Sequence, residues 1–237
     1  MPVLLLVLFS MGLGTILAIV FRVRQRALAP LAGAPPRACP FEKSCGLRRP
    51  GCWLAIRSRN LAAVQSALGV HNAKPCSWLE GLARDEQLFI APPVNGWILV
   101  MGSGLPDPGD DVDVCFRFVL ELSRKLGQVQ LFSASRVLHQ HAWVKAERGR
   151  VVRAYAWAGK TLWHQGARTS AEKELAVACY DYGEPAESNL SGHPDAAETN
   201  VDKVPLLAAR WSLDPGRIDQ RYLEHERGIA GDLSHRF

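Results

Sequence analysis

The stretch HQHAWVKAERGRVVRAYAWAG, residues 139–159, contains two runs of alternating side chains joined at Arg148-Gly149. Two such runs around a short glycine-containing connection predict an antiparallel β-hairpin. With a two-residue loop, Ala146 lies opposite Val151 and the same register continues along both strands. It sets bulky side chains over alanines, with Trp143 over Ala154, His141 over Ala156 and His139 over Ala158.

The hairpin places His139 and His141 on one face, with about 7 Å between them. Two imidazoles at that separation suit a metal ion, and Asp110 in the acidic loop 107–113 is a candidate third ligand. A metal ion held by these three residues would make the protein a metal-dependent hydrolase. The alternative is structural: the histidines pack in the hairpin, and Asp110 caps the helix that follows.

Strands are also predicted at 52–58, 88–91, 97–102 and 128–135, with a tight turn at Asn95-Gly96. Apolar residues at helical spacing predict helices over 61–68, with Asn60 as its N-cap, and over 112–126. Thr169, with Glu172 three residues on, predicts the start of a helix that continues through Cys179. Hairpins interspersed with helices favour an α+β domain in which five or six mainly antiparallel strands carry helices on one face.

Residues 2–21 carry no charge over 20 positions. At about 1.5 Å per residue, a helix of that length spans about 30 Å, the apolar thickness of a bilayer. Arg22, Arg24 and Arg26 follow directly, and this distribution predicts that the rest of the chain stays in the cytoplasm. A cleaved signal peptide is the competing interpretation, although no lysine or arginine precedes the apolar run.

The predicted organisation is therefore a transmembrane anchor with a basic flank at 1–26, a Pro/Gly/Ala-rich linker at 27–51 and a globular domain at 52–237. The full fold class is α+β, with an N-terminal transmembrane helix followed by one domain whose mainly antiparallel sheet is packed by helices.

The net charge of +5 is concentrated in the N-terminal segment. Residues 1–51 hold seven basic residues and one acid, which leaves 21 basic and 22 acidic residues in the remaining 186. With a net charge of −1, the domain has no basic excess for a nucleic-acid backbone, and we expect no nucleic-acid partner.

The cysteines leave one alternative open. Cys39, Cys45, Cys52 and Cys76 lack the close C-x2-C pairs that zinc sites commonly use. In the cytoplasm they stay reduced, whereas an outward-facing domain would make disulfides plausible. An envelope-facing disulfide-bonded domain is therefore an alternative function.

The sequence contains no phosphate-binding P-loop, no G-x-S-x-G nucleophile elbow and no H-E-x-x-H zinc motif. It predicts no cofactor and leaves enzymatic activity undecided. The leading functional prediction is a single-pass membrane-anchored protein that contacts the bilayer through residues 2–21. Its cytoplasmic α+β domain would act as a protein-interaction module for a protein partner.

Overall fold

The computed structural model describes residues 50–83, 88–184, 199–219, 223 and 225–233. The strands are β1 (Cys52–Arg57), β2 (Val70–Cys76), β3 (Leu88–Ile90), β4 (Trp97–Met101), β5 (Gln128–Ser135), β6 (Gln140–Glu147), β7 (Arg150–Ala158), β8 (Thr161–Gln165) and β9 (Gly228–Leu233). The helices are α1 (Leu61–Leu68), α2 (Trp78–Ala83), α3 (Val112–Leu126), α4 (Ser170–Glu174) and α5 (Asn200–Trp211), with a 3₁₀ turn at Pro215–Arg217.

The nine strands form one sheet in the order β2-β9-β3-β4-β1-β5-β6-β7-β8. Every pairing between these strands is antiparallel. The central strands β1 and β4 are almost entirely buried, as expected for strands that are covered on both faces.

The two faces of the sheet carry separate apolar layers. On the first face, Leu54 and Val144 pack with Val64 of α1 and Val119 of α3. On the second face, aromatic side chains pack beneath α2, α5 and the segment around Val177. The helices therefore cover both faces because each strand presents apolar side chains on both sides.

The predicted fold class is wrong. In place of five or six strands with helices on one face, the structure shows a mainly antiparallel nine-stranded sheet with few helices, and these lie on both faces. The predicted N-terminal helix is not shown, because residues 1–49 lie outside the described part of the chain. Among the described helices, none has the length and apolarity needed to cross a membrane.

Two strands without a sequence signal account for most of the added width. β2 is largely polar and contains Pro75, and it lies at a sheet edge, where it forms hydrogen bonds with only one neighbouring strand. β9 comes from a charged tail and pairs with β2 and β3. Its Gly228 and Gly231 approach neighbouring backbone so closely that an added Cβ would clash.

Several local predictions are confirmed by the helix termini. The side chain of Asn60 accepts from the Ala63 amide at the start of α1. Thr169 and Glu172 form a reciprocal capping box at the start of α4. That helix ends at Glu174, however, so Cys179 is not helical as predicted; it lies half-buried in an irregular segment.

Candidate functional site

A ladder of aromatic rings crosses five strands on the second face of the sheet. Paired positions on β1, β5, β6, β7 and β8 carry, in order, Trp53, Phe132, Trp143, Tyr155 and His164. The rings of Trp53 and Phe132 stack with centroids 5.4 Å apart, and those of Trp143 and Tyr155 lie 5.0 Å apart. Cross-strand aromatic pairs of this kind stabilise a sheet and fix its register.

The ladder depends on a register that differs from the predicted one. Ala146 does face Val151, but β7 carries a bulge there and Lys145 faces Arg153. The extra residue moves the later pairs by one position. The predicted alanine contacts are therefore wrong: Trp143 lies opposite Tyr155, and the His141 position pairs with Trp157, an aromatic residue in place of an alanine.

A buried ion pair lies on this face at β7, next to the edge strand β8. The Arg153 guanidinium and the Glu172 carboxylate are both fully buried, and Arg153 Nε donates to Glu172 Oε1 at 2.8 Å. The same oxygen accepts from Trp143 Nε1 at 2.8 Å, while Oε2 accepts from the amide and hydroxyl of Thr169. This network ties α4 to the sheet, and its charges are already satisfied.

His141 is buried against α5. Asn200 Nδ2 lies 3.2 Å from His141 Nε2 and donates its other proton to the carbonyl of Ala178. Because an amide nitrogen only donates, His141 Nε2 must be the unprotonated acceptor, and the ring proton lies on Nδ1. Burial lowers the pKa of His141 to about 3, so the ring is neutral near neutral pH.

The structure separates the three predicted metal ligands. His139 is exposed in the turn before β6, with a positive φ of 52°, and does not belong to the hairpin strand. His141 is buried at Asn200, and Asp110 is exposed near the start of α3. Within the described ranges, no three His, Cys, Asp or Glu side chains are placed to hold a metal ion.

Asp110 was also predicted as the cap of α3, and that prediction is wrong by one residue. The N-cap is Asp111, whose side chain accepts from the Val114 amide at 2.9 Å. Asp107 Oδ2 accepts a hydrogen bond from the hydroxyl of Ser133 in β5, with 2.5 Å between the two oxygens.

Asp107, Asp110 and Asp111 of this loop line an open, acidic cavity together with Asp232 from β9. Its other walls are largely apolar and include Leu88 and Leu105. Asp110, the candidate ligand of the sequence analysis, lies on this cavity, and neither histidine lines it.

A second cavity, of about 240 Å³, opens at the end of the sheet where β1 begins and β5 ends. We call it the Trp53 cavity. It lies between the sheet, the first turns of α5 and the 3₁₀ turn. Its lining residues are Pro50, Trp53, Ala134, Arg136, Val201, Asp202, Pro205, Asp214 and Pro215.

Trp53 is the aromatic residue in the lining of this cavity. The residue is only 2% exposed, and within the described part of the chain its Nε1 has no hydrogen-bond acceptor. An indole N–H can only donate, and leaving a buried donor unsatisfied costs about 1–3 kcal/mol. Because this nitrogen is closed to solvent, the cavity is lined by other parts of Trp53, together with charged side chains such as those of Asp202 and Asp214.

Exposed apolar residues lie next to the cavity. Arg136, at its rim, begins the β5–β6 turn, and the next two residues are Val137, 90% exposed, and Leu138, 63% exposed. On α5, the exposed Leu206 follows the lining residue Pro205. Neighbouring exposed apolar side chains beside a concave site are typical of protein-interaction surfaces.

Sequence reasoning missed the Trp53 cavity because its lining comes from four separate segments. Trp53 and Ala134 share an edge only through the pairing of β1 with β5, and Val201 joins them through the packing of α5. Each segment taken alone has an ordinary composition. The one usable signal was the apolar pair Val137-Leu138, which the sequence predicts at the start of the first hairpin strand, 137–147, and which the structure places in the turn before it.

Two of the four early cysteines are described, and both are thiols: Cys52, half-buried, and Cys76, buried. Cys39 and Cys45 lie outside the described residues. Burial is the main cause that raises the pKa of the Cys52 thiol, with Asp107 adding to it. A raised pKa disfavours the reactive thiolate.

No protein-family model, no curated protein and no solved structure matches this chain.

Proposed function

We propose that the domain is a protein-interaction module whose partner binds at the Trp53 cavity. The observation that carries this proposal is the exposed apolar turn residues Val137 and Leu138, which follow Arg136 at the rim of the cavity. A partner that inserts a side chain there buries apolar surface against Trp53, Ala134 and Val201. The turn residues Val137 and Leu138 extend the contact surface outside the cavity.

The size of the cavity favours this function over the binding of a large cofactor. Pockets for small molecules commonly measure about 300–1,000 Å³. At about 240 Å³ the Trp53 cavity is smaller and fits one or two side chains. Protein interfaces concentrate their binding energy in anchors of this kind.

Membrane attachment through residues 2–21, with the domain on the cytoplasmic side, belongs to the same proposal and is supported by the sequence alone. Reporters fused to the C-terminus, one active only in the cytoplasm and one only outside, test the orientation. Activity of the external reporter would reverse it and restore the envelope-facing alternative.

Site-specific photo-cross-linking tests the interaction itself. A photo-reactive residue replaces Val137 at the rim, and in a control it replaces Val152, which is exposed at the opposite end of the sheet. In membranes of the source cells, the Val137 position is expected to yield an adduct of discrete mass that the Val152 position does not. Equal labelling at both positions, or none at Val137, contradicts the proposal.

A further inference from the structure

We infer that His141 and Asn200 form an acid-sensitive latch, which holds α5 and residues 177–180 against the second face of the sheet and releases them when His141 gains a proton. The latch goes beyond the proposed interaction function and does not depend on it. It rests on the direction of each hydrogen bond at the Asn200 amide and on the burial of the His141 ring.

Both protons of the Asn200 side-chain nitrogen are used in a single orientation of the amide. Asn200 Oδ1 accepts from the Ala178 amide at 3.0 Å, and Nδ2 donates to the Ala178 carbonyl at 2.7 Å. The second Nδ2 proton is left for His141 Nε2, which lies 3.2 Å away. Asn200 and His141 are buried, at 0% and 2% exposed, so water does not compete for these bonds. One amide therefore connects β6, the segment around Ala178 and the first turn of α5.

A proton on His141 Nε2 changes this nitrogen from an acceptor into a donor. It then faces the Nδ2 of Asn200, which cannot accept. Turning the Asn200 amide over would offer Oδ1 to His141, but it would set donor against donor and acceptor against acceptor at Ala178. Neither orientation satisfies all three contacts, and buried polar groups left without partners destabilise the closed arrangement. Protonation therefore favours an open arrangement, in which α5 and Ala178 have moved away from the ring.

The titratable side chains in closest contact with His141 do not change their charge in the relevant range of pH. The His141 ring stacks with Trp143, Tyr155 and Trp157 at centroid distances of 5.6, 5.9 and 5.5 Å. Burial raises the pKa of Tyr155, and it raises the pKa of the Cys179 thiol to about 11. Both groups are therefore uncharged between pH 5 and 7.5.

The charged groups on the neighbouring elements contact partners other than His141. These contacts join Arg153 to Glu172, Asp202 to Arg136, Lys203 to the Ala176 carbonyl, Arg168 to the Val177 carbonyl, Arg210 to Glu174, and His164 to Asp181. Burial is the cause that lowers the pKa of His141, and none of these charges contributes to it. A proton on His164 strengthens its contact with Asp181, so acid releases residues 177–180 and α5 while residue 181 stays attached to β8.

The size of the effect follows from the pKa of His141 in the two arrangements. The pKa is about 3 with the latch closed and about 6.5 when the ring is solvated. Below about pH 6.5 the open arrangement therefore takes up the proton first, and the equilibrium constant for opening rises by up to about tenfold per pH unit. Between pH 7.5 and pH 5 this constant should rise about thirtyfold.

Release of α5 alters the aromatic face and the Trp53 cavity together. Val204 and Leu207 of α5 pack in the same apolar layer as the aromatic rings of the second face. Val201 and Pro205 of the same helix line the Trp53 cavity. Acid opening therefore uncovers aromatic surface and removes one wall of the cavity.

Hydrogen–deuterium exchange of the full chain in a mild detergent, followed by mass spectrometry, tests the latch. Exchange rates at pH 7.5 and pH 5 are divided by the rate of an unstructured peptide at the same pH, which gives a protection factor. Protection of peptides that cover residues 177–180 and 200–211 should fall about thirtyfold at pH 5. Peptides from α3, which packs on the first face, should stay better protected at both pH values, because the opening is local.

Two variants remove the titrating ring. His141→Gln keeps an acceptor for Asn200, and His141→Phe keeps a planar ring; in each, protection of α5 should be nearly equal at the two pH values. The Gln variant keeps the test decisive if the Phe variant does not fold. His139→Gln is the matched control, because His139 is exposed and lies outside β6, and it should retain the full fall in protection.

The inference is overturned if protection of residues 177–180 and α5 is the same at both pH values in the unchanged chain. It is also overturned if the fall persists in His141→Gln, or if α3 loses protection to the same level, which would indicate global unfolding. These outcomes are separable from failure of the proposed function, because photo-cross-linking at Val137 is carried out at neutral pH, where the latch is closed.

Discussion

Replacement of Glu172 by glutamine should destabilise the domain strongly although it scarcely changes the shape of the side chain. The carboxylate accepts four hydrogen bonds: two on Oε1 from Trp143 and Arg153, and two on Oε2 from the amide and hydroxyl of Thr169. An amide has only one oxygen. Whichever way it is placed, its NH₂ group faces donors, and Arg153 loses its counter-charge.

The magnitude follows from burial. Both members of the ion pair are fully buried, so water cannot replace the missing charge. Breaking a buried pair by changing one partner costs about 3–5 kcal/mol. The free energy of unfolding of an ordinary domain is about 5–15 kcal/mol, so this loss is a large fraction of the total.

Urea denaturation of the full chain in detergent, followed by far-ultraviolet circular dichroism, measures the change in the free energy of unfolding. Glu174→Gln is the matched control, since Glu174 lies in the same helix but pairs with Arg210 at the surface. Exposed pairs contribute about 0.2–1 kcal/mol. Equal destabilisation by Glu172→Gln and Glu174→Gln would refute the reasoning.

Three further changes test other parts of the structure. The pKa of His141 is lowered from about 6.5 in the unfolded chain to about 3 by burial, so the unfolded state binds the proton first and stability falls as pH drops below about 6.5. His141→Phe should remove up to about 1.4 kcal/mol of that loss per pH unit. Urea denaturation between pH 5 and 6.5 measures it, and an unchanged slope of unfolding free energy against pH would contradict a buried neutral ring. Gly166→Ala should destabilise the domain by more than about 2 kcal/mol, because φ is positive there and an added Cβ would lie 2.1 Å from a carbonyl oxygen. Gly159 has a similar φ but open space around it, so Gly159→Ala should cost about 1 kcal/mol. Thermal unfolding that shows the larger loss for Gly159→Ala would contradict the packing. Asp111→Ala should cost about 1 kcal/mol because it removes the helix cap, while Asp110→Ala should have little effect. A larger loss for Asp110→Ala in the same assay would show that Asp110 is the cap.

Local sequence signals located the elements that depend on local chemistry. The caps Asn60 and Thr169 and the Asn95-Gly96 turn are where the sequence predicts them, and both turn residues have positive φ. These features are set by hydrogen bonds within a few residues, so a single sequence contains the necessary information.

Features that depend on distant segments were missed. The bulge at Val152 shifts the hairpin register by one residue and sets the Tyr155 ring beside that of Trp143 on the second face. β9 becomes a strand because β2 and β3 provide hydrogen-bonding partners on both sides. No pattern within residues 228–233 predicts that position in the sheet.

The residues of the candidate site also depend on segments that lie far apart in the chain. His141 attracted attention as a possible metal ligand because of its spacing from His139, yet its environment is set by Asn200, which lies 59 positions further along the chain. Trp53 helps to fill the core by stacking on Phe132. Its place in the lining of a cavity depends on the packing of α5 and the 3₁₀ turn, which lie far along the chain.

The central claim is that a protein partner binds at the Trp53 cavity, and the most direct test is photo-cross-linking at Val137 with and without Ala134→Leu. The substitution fills the cavity while leaving the turn that carries the cross-linker in place. We predict a discrete adduct in the otherwise unchanged chain and its loss when the cavity is filled. An adduct of equal yield in both would show that the partner binds elsewhere on the turn and would contradict the account.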